Sequence, residues 1–179
     1  MKIKNKVIFL DVDGVINHYG SKSFCLVDNI KYRGIDNSLV RILKHIVNET
    51  DASIVLTSTW KDFFTIGTYK QHHKHGQYLS NKLRKQGLYI VDKTENRKWA
   101  ERGLGIQHWL DEHPNVTNWV ILDDETFDYR DLKETCFDHF ILTDEMVGLN
   151  DWQAGMAIKI LNGEAQGPVP YYKEECKPE

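Results

Sequence analysis

The stretch that most constrains the fold of this chain is the run from Val7 to Val15, in which apolar residues lead directly into two acids. A short, unbroken apolar run with β-branched and aromatic members is typical of a strand buried on both faces, as in a parallel sheet. An ionised carboxylate is costly to bury unless it is paired or bound to metal, so the strand is expected to open to solvent or a cation at Asp11 and Asp13. Gly14 then allows a backbone angle that other residues resist. The alternative is that both acids are ordinary turn residues, since aspartate is common where strands end.

Length and composition predict one soluble domain. The chain has 179 residues, enough for a sizeable core, and its 41% apolar residues argue against wholesale disorder. The net charge of −3 argues against a globally basic nucleic-acid binder. Cys25, Cys136 and Cys176 are odd in number and widely spaced, which favours free thiols in a reducing compartment. No stretch reaches membrane-spanning length and the first apolar run is too short for a signal peptide, so we expect a cytoplasmic protein with no membrane contact.

Apolar segments that alternate with helical patterns predict an α/β fold with a five-stranded, mostly parallel sheet and helices on both faces. The strand segments are residues 7–10, 53–56, 88–91, 119–122 and 137–142. Helices are predicted after Asp36, over 61–87, before Pro114 and from about Asn150 to Leu161. We expect one domain over residues 1–165, with a hairpin-like flap over 17–34, and a tail over 166–179.

The polar residues with the clearest chemistry follow the predicted strands. Asp11 and Asp13 follow the first, residues 57–59 carry three hydroxyls after the second, and Asp123 and Asp124 follow the fourth. Ligands of such sheets bind beyond the carboxyl ends of the strands, where the strand order reverses. If the first and fourth strands are neighbours there, two acid pairs converge, and four carboxylates need a cation to stay ionised together. Oxygen ligands select a hard ion, and we expect Mg²⁺.

These segments resemble, in the same order, the four motifs of the haloacid dehalogenase-like (HAD) superfamily of phosphatases. The motifs are Asp11-Val12-Asp13-Gly14, a hydroxyl after the second strand, a basic residue at a helix start, and Asp123-Asp124. The segments Val55-Leu56-Thr57-Ser58-Thr59-Trp60-Lys61, Arg102-Gly103-x-x-Ile106 and Gly148-Leu149 resemble a compact branch. That branch contains the HAD domains of RNA-repair proteins and is similar to the phosphatase half of polynucleotide kinase-phosphatases. The resemblance implies a Rossmann-like HAD fold.

The resemblance also implies Mg²⁺-dependent hydrolysis of a phosphomonoester through an aspartyl-phosphate. Asp11 is then the nucleophile that attacks phosphorus. Asp13 is the general acid that protonates the leaving oxygen and afterwards the base that activates water. An acid at position 13 favours phosphoryl transfer over carbon–halogen cleavage, because the family's dehalogenases lack it.

Binding groups follow from the same resemblance. Ser58 or Thr57 would hold a phosphoryl oxygen. The cation of the third motif is Arg102 or Lys98; lysine is the commoner family residue, so an arginine would be a departure. The expected Mg²⁺ ligands are Asp11, Asp13 (through its backbone carbonyl), Asp123 and Asp124.

Little chain lies between the motifs, so we expect a minimal cap and an open site that a large substrate can cover. A nucleic-acid phosphate end or a nucleotide fits this description. The basic stretch from Lys61 to Lys85, with its cluster of His72, His73 and His75, could meet a phosphate backbone, and Trp60 could stack on a base. The expected substrate-binding residues are Thr57, Thr59, Trp60 and Lys61. The alternative is that the aromatic residues are core and the charges merely solvate a helix.

Other functions stay in competition with this one. A non-catalytic HAD-like binding or regulatory module would keep the fold, although several costly carboxylates argue against it. A phosphatase of small metabolites would use the same site on a smaller substrate. A response-regulator-like receiver is disfavoured, because it would carry a lysine after the fifth strand, where this chain has Thr143 and Asp144.

Overall fold

Seven strands and four α-helices make up the described part of the chain, which comprises residues 2–67, 73–95, 102–129 and 138–164 of the computed structural model. The strands are β1 (Lys6–Leu10), β2 (Phe24–Val27), β3 (Ile30–Arg33), β4 (Ser53–Leu56), β5 (Ile90–Lys93), β6 (Asn118–Asp123) and β7 (Phe140–Leu142). The helices are α1 (Asn37–Thr50), α2 (Lys74–Arg84), α3 (Arg102–Glu112) and α4 (Asp151–Leu161). Two short 3₁₀ helices cover Thr59–Phe63 and Phe127–Tyr129.

Five of these strands form one parallel sheet in the order β5-β4-β1-β6-β7. The first strand lies at the centre, and the direction in which strands are added reverses between β1 and β6. This arrangement confirms the predicted α/β, Rossmann-like fold. It also makes β1 and β6 neighbours at the point where ligands of such sheets bind.

The central strand β1 is apolar throughout because both of its faces are buried. Ile8 and Leu10 pack into the core that includes side chains from α1, α2 and α4. Val7 and Phe9 point to the opposite face, where the ring of Trp109 in α3 lies edge-on to Phe9 with centroids 5.3 Å apart. Side chains alternate along a strand, so helices cover both faces of the sheet, as predicted.

Helix α1 begins directly after Asp36, as predicted, and Asp36 caps it. The Asp36 side chain accepts a hydrogen bond from the Ser38 backbone N–H at 2.8 Å, which satisfies one free donor at the helix start. Leu39, Leu43 and Ile46 recur at helical spacing and are buried against the sheet.

The segment between β1 and α1 contains an antiparallel hairpin of β2 and β3. Its two-residue turn, Asp28 and Asn29, has positive φ angles of 51° and 65°, which aspartate and asparagine tolerate better than most residues. This hairpin is the only regular structure between β1 and α1, a stretch described without a gap. Between β1 and α1, the structure therefore agrees with the predicted minimal cap.

Three predicted elements differ from the structure by two residues or more. Strand β5 begins at Ile90 rather than 88, because the Leu88 N–H still bonds the Leu83 carbonyl at 3.0 Å and closes the end of α2. The helical stretch predicted over 61–87 is a 3₁₀ helix followed by α2, with 68–72 outside the described residues. Strand β7 begins at Phe140 rather than 137. Cys136, Cys176 and the predicted tail also lie outside the described residues.

Candidate active site

Backbone hydrogen bonds extend the sheet one residue past β1 and β4. The Asp11 N–H donates to the Leu122 carbonyl and the Thr57 N–H donates to the Leu10 carbonyl, both at 2.9 Å. Asp123 is the last residue of β6, directly after Leu122. The polar residues that follow the first, second and fourth sheet strands therefore stand beside one another at the same edge.

Three carboxylates converge at this edge. One oxygen from each of Asp11, Asp123 and Asp124 lies within 4.8 Å of the others. Asp11 and Asp123 are buried, and Asp124 is half-buried. The structure thus brings together acids that are more than a hundred positions apart in the chain, as the sequence predicted. The set contains three side chains rather than the four expected, because the Asp13 carboxylate is held elsewhere.

Gly14 makes room for this cluster. Its φ angle is +72°, and a Cβ atom at this position would lie 2.1 Å from Oδ2 of Asp124. Any side chain here would therefore be strained and would also displace Asp124. The Thr143 hydroxyl donates to the Gly14 carbonyl at 2.8 Å and fixes the loop from the side of β7.

Arg102, the first residue of α3, holds the acids from one side. Its guanidinium donates to Oδ1 of Asp11 at 2.8 Å and to Oδ2 of Asp123 at 2.6 Å. Its Nε lies 3.1 Å from Oδ2 of Asp128 in the second 3₁₀ helix. The Tyr129 hydroxyl also donates to Asp123. Of the two candidates for the third-motif cation, Arg102 is at the cluster, and Lys98 lies outside the described residues.

The cluster retains an excess of negative charge. Burial, and then repulsion from Asp123, raises the pKa of Asp11 well above its usual range, although Arg102 opposes this. Burial and the charge of Asp123 raise the pKa of Asp124 to about 7. Several acids share one arginine, so a further cation would stabilise their ionised forms. Clustered carboxylate oxygens suit a hard divalent ion such as Mg²⁺, and the residues present fit that group.

Asp13 lies in a different setting, although a single residue separates it from Asp11. Its Oδ2 accepts a hydrogen bond from the Trp60 indole Nε1 at 2.8 Å, and its Oδ1 accepts one from Asn17 Nδ2 at 2.7 Å. Both donors are neutral. The sequence reasoning missed Asn17. It left open whether Trp60 stacks on a base or belongs to the core, and the burial of the residue in the core favours the second alternative.

The residues after β4 also differ in their surroundings. The Thr57 hydroxyl is fully buried and has no hydrogen-bond partner among the described residues. Ser58 Oγ accepts from the Trp60 backbone N–H at 3.4 Å and caps the first 3₁₀ helix. Thr59 is exposed. Thr57 is thus the residue of this group with a free hydroxyl inside the protein.

Lys61 is a buried lysine rather than part of an exposed basic face. Only 3% of it is exposed, and its Nζ donates to the Thr94 hydroxyl at 3.2 Å. Burial, and then the nearby charge of Arg102, lowers the pKa of Lys61 to about 8. The charge of Asp11 acts in the opposite direction. Lys61 therefore places a second cation in the electrostatic neighbourhood of the carboxylate cluster.

A family profile described as "HAD domain in Swiss Army Knife RNA repair proteins" matches residues 7–154. The match covers most of the chain and spans the motifs from Asp11 to Asp124. The chain belongs to this family. No curated protein and no solved structure gave a match.

The basic stretch predicted to meet a polyanion is largely occupied by internal contacts in this HAD domain. Lys74 pairs with Asp28 of the hairpin turn. Lys82 donates to the Ile35 carbonyl at 3.1 Å and to Asn37 Oδ1 at 3.2 Å. Tyr69, Lys70 and His72 lie outside the described residues. Lys61 is thus withdrawn from the solvated basic face that the sequence suggested, Lys82 is half-buried, and Lys74 stays exposed beside Asp28.

Two histidines of the predicted cluster stack on each other beside this stretch. The rings of His73 and His75 are nearly parallel with centroids 5.3 Å apart, and His75 also stacks on Phe63. Within the described ranges, the carboxylate cluster is the only group of three or more metal-ligating side chains. None of the helices described is long and apolar enough to cross a bilayer.

Proposed function

We propose that this HAD domain is a Mg²⁺-dependent phosphomonoester hydrolase that works through an aspartyl-phosphate on Asp11. The observation that carries the proposal is the contrast between Asp11 and Asp13. Asp11 is bonded to Arg102 and adjoins the acids that would hold Mg²⁺, and these two cations would keep it ionised as a nucleophile. Asp13 is held by two neutral donors apart from the three clustered carboxylates, where it would exchange a proton with the leaving oxygen and with water.

The reaction has two displacement steps. In the first, a carboxylate oxygen of Asp11 attacks phosphorus and forms an O–P bond as the bond to the leaving oxygen breaks. Asp13 transfers its proton to that leaving oxygen. In the second, water attacks the phosphoryl group, Asp13 takes a proton from it, and the bond to Asp11 breaks. Inorganic phosphate leaves, and both aspartates return to their starting forms.

The surrounding residues would position the nucleophile and the phosphoryl group. Arg102 orients Asp11 through their 2.8 Å hydrogen bond. Between the two hydroxyls predicted to hold a phosphoryl oxygen, we favour Thr57, because its buried hydroxyl has a donor to spare and Ser58 already caps a helix. Lys61 would supply positive charge to the phosphoryl oxygens from the interior.

Asp11, Asp123, Asp124 and the Asp13 backbone carbonyl would hold Mg²⁺. When bound, the ion would neutralise charge on the phosphoryl group and on the nucleophile. Clustering of three acids within 4.8 Å supports this assignment.

The substrate class we propose is a nucleic-acid phosphate end. The minimal cap leaves no large domain of this chain between β1 and α1 to enclose a small molecule. The family description names RNA repair proteins, which favours a phosphorylated RNA end among the large substrates that an open site could accept. Small metabolites and a non-catalytic role are the competing outcomes of the test.

A panel of phosphoesters tests the proposal. The protein is incubated with Mg²⁺ and an aryl phosphate, nucleotides, sugar phosphates, phosphopeptides or oligonucleotides phosphorylated at either end, and released phosphate is measured. We expect hydrolysis that stops with a chelator and in Asp11→Asn, with phosphorylated oligonucleotides as the best substrates. Preference for a sugar phosphate would contradict the substrate class, and absence of all hydrolysis would contradict the enzyme.

A further inference from the structure

The hairpin carries large apolar side chains on the face that points away from the core. Phe24 lies opposite Arg33 in the pairing register, and Leu26 lies opposite Lys31, so these four side chains share one face. Phe24 is 55% exposed and Leu26 is 74% exposed. Cys25 and Val27, on the other face, are buried. We call the exposed side, together with the adjoining Tyr19, the outer face of the hairpin.

Each aromatic ring of the outer face has a cation over it. Lys31 Nζ lies 3.5 Å from the centroid of the Phe24 ring, and the Arg33 guanidinium lies 3.5 Å from the centroid of the Tyr19 ring. Tyr19 is still 60% exposed. Neither cation has a carboxylate partner within the described ranges. Exposed rings beside unpaired cations are the combination on which single-stranded nucleic acids bind, through stacked bases and paired phosphates.

The outer face is connected to the active site by a short, fixed segment. Asn17 binds the Asp13 carboxylate, and Tyr19 follows two residues later, with its N–H bonded to the Glu145 carbonyl at 2.8 Å. At the other end of the hairpin, the Asp36 N–H bonds the Ile16 carbonyl at 2.9 Å. The segment after the hairpin is therefore bonded to the loop that carries Asp13, and the segment before it is bonded to Glu145 in the segment after β7.

We propose that the outer face binds single-stranded nucleic acid. Lys31 and Arg33 move from the ring faces that they cover to backbone phosphates, and bases stack on Phe24 and Tyr19 in their place. A strand bound here leads towards the loop of Asp13, which would present its phosphorylated end to the site. The statement that the phosphorylated end reaches the active site rests on the proposed function, whereas the binding of the strand to the outer face does not.

The choice of a nucleic acid over a protein partner follows from charge. The two cations are the charged groups of this face, and each lies over a ring rather than at a rim, so an uncharged apolar partner would have to cover both of them. A polyanion with planar bases can use rings and cations together. Although the chain has a net charge of −3, these two cations give a polyanion one defined place to bind.

Binding of an unphosphorylated single-stranded RNA, followed by fluorescence anisotropy, tests the proposal without any turnover. We expect binding that tightens with oligonucleotide length and weakens about tenfold in Phe24→Ala, as for loss of a stacked base. The double variant Lys31→Gln/Arg33→Gln should weaken binding and lower the salt slope by about 1.4, since each phosphate contact on a single strand contributes about 0.7. Circular dichroism checks that each variant is folded.

Matched controls use exposed residues elsewhere on the protein. Trp152→Ala removes an aromatic side chain that is 59% exposed on α4, and Arg41→Gln/Lys159→Gln removes two exposed charges from α1 and α4. Both should retain wild-type affinity. Equal weakening in the charge control, or an unchanged affinity in Phe24→Ala, would overturn the proposal, as would a wild-type protein that binds no RNA.

The result is separable from the proposed function. A protein that hydrolyses an aryl phosphate but binds no RNA would overturn the outer face as a binding surface and leave the enzyme intact. A protein that binds RNA through this face but hydrolyses no phosphoester would support the surface and contradict the proposed reaction.

Discussion

Asp11 and Asp13 stand one residue apart at the end of the same strand, yet they lie in two regions of opposite character. Asp11 is buried in a charged region, with Arg102 bonded to it and Asp123 beside it. Asp13 is held by the uncharged side chains of Asn17 and Trp60. The two aspartates are therefore not an equivalent pair of metal ligands. Two carboxylates in unlike surroundings can take unlike chemical roles, and each prediction below tests that division.

The largest effect is expected from Asp11→Asn. An amide cannot form the aspartyl-phosphate, so kcat should fall by about 10³-fold or more. Hydrolysis of an aryl phosphate with saturating Mg²⁺ measures it. Asp111→Asn, an exposed position on α3, is the control and should keep full activity. A kcat within tenfold of the wild-type value would assign the nucleophile elsewhere.

Replacing Asp13 with asparagine should reveal a different kind of loss. General acid catalysis contributes about 10²–10⁴-fold, and it matters most when the leaving oxygen is strongly basic. Asp13→Asn should therefore lose more activity on an alkyl phosphate than on a nitrophenyl phosphate, whose leaving group departs without a proton. Comparison of kcat/KM across a series of leaving groups gives the slope. Equal losses on all members would remove Asp13 from the proton-transfer role.

Two tryptophans allow a closely matched test of the Asp13 region. Trp60→Phe removes the 2.8 Å hydrogen bond to Asp13 and retains most of the ring. Trp109→Phe removes a hydrogen bond of the same length to Asp92, away from the cluster. A hydrogen bond to a charged group contributes about 1.5–3 kcal/mol, so kcat should fall by about 10- to 150-fold in Trp60→Phe and hardly change in Trp109→Phe. Similar losses in both variants would mean that Trp60 acts only through packing.

The smallest expected effect is on the pH dependence of Tm, and it comes from Asp124 in the carboxylate cluster that includes Asp11. Asp124 has a pKa of about 7 in the folded protein, above its ordinary value of 3.8, so its contribution to stability is fully present below the ordinary pKa and is lost as pH rises from there through about 7. In the presence of a chelator, Tm should therefore decline over the interval between these two pKa values. Asp124→Asn should reduce the decline and raise Tm above the interval by about 2–4 °C, as about 1 kcal/mol does in a domain of this size.

The effect of Mg²⁺ on Tm is a second test of the carboxylate cluster. Because the ion binds the ionised carboxylates, Mg²⁺ should raise the wild-type Tm more above pH 7 than below it, and should raise the Tm of Asp124→Asn less. Differential scanning fluorimetry with and without a chelator follows both variants. A wild-type Tm that is insensitive to Mg²⁺ across this range would contradict the assignment of the cluster to a divalent ion.

The fold and the convergence of the acids were predictable from sequence for a simple physical reason. A strand that is apolar at every position must be buried on both faces, and parallel strands end at one edge, so residues after those strands must meet. The partners of Asp13 were not predictable in this way. Trp60 and Asn17 reach Asp13 through the packing of a 3₁₀ helix and a loop, which no spacing rule specifies.

The burial of Lys61 could not be predicted from its residue type. A lysine in a stretch rich in lysine and histidine is normally exposed, so a solvated basic face was the natural expectation. The 3₁₀ helix instead turns Lys61 inward onto Thr94, near the charges of Asp11 and Arg102. The rule that lysine is exposed fails at Lys61 because Lys61 lies near carboxylates, whose opposite charge compensates for the cost of burying a lysine.

Trapping of the covalent intermediate tests the central division of roles most directly. Asp13→Asn lacks the base that activates water, so an aryl phosphate that needs no proton for departure should phosphorylate Asp11 faster than the intermediate is hydrolysed. Acid-quenched protein is digested and analysed by mass spectrometry. The account predicts one added phosphoryl group on the peptide that contains Asp11, and none in Asp11→Asn/Asp13→Asn. A phosphoryl group on any other residue, or turnover by Asp13→Asn with Asp11 never modified, would contradict it.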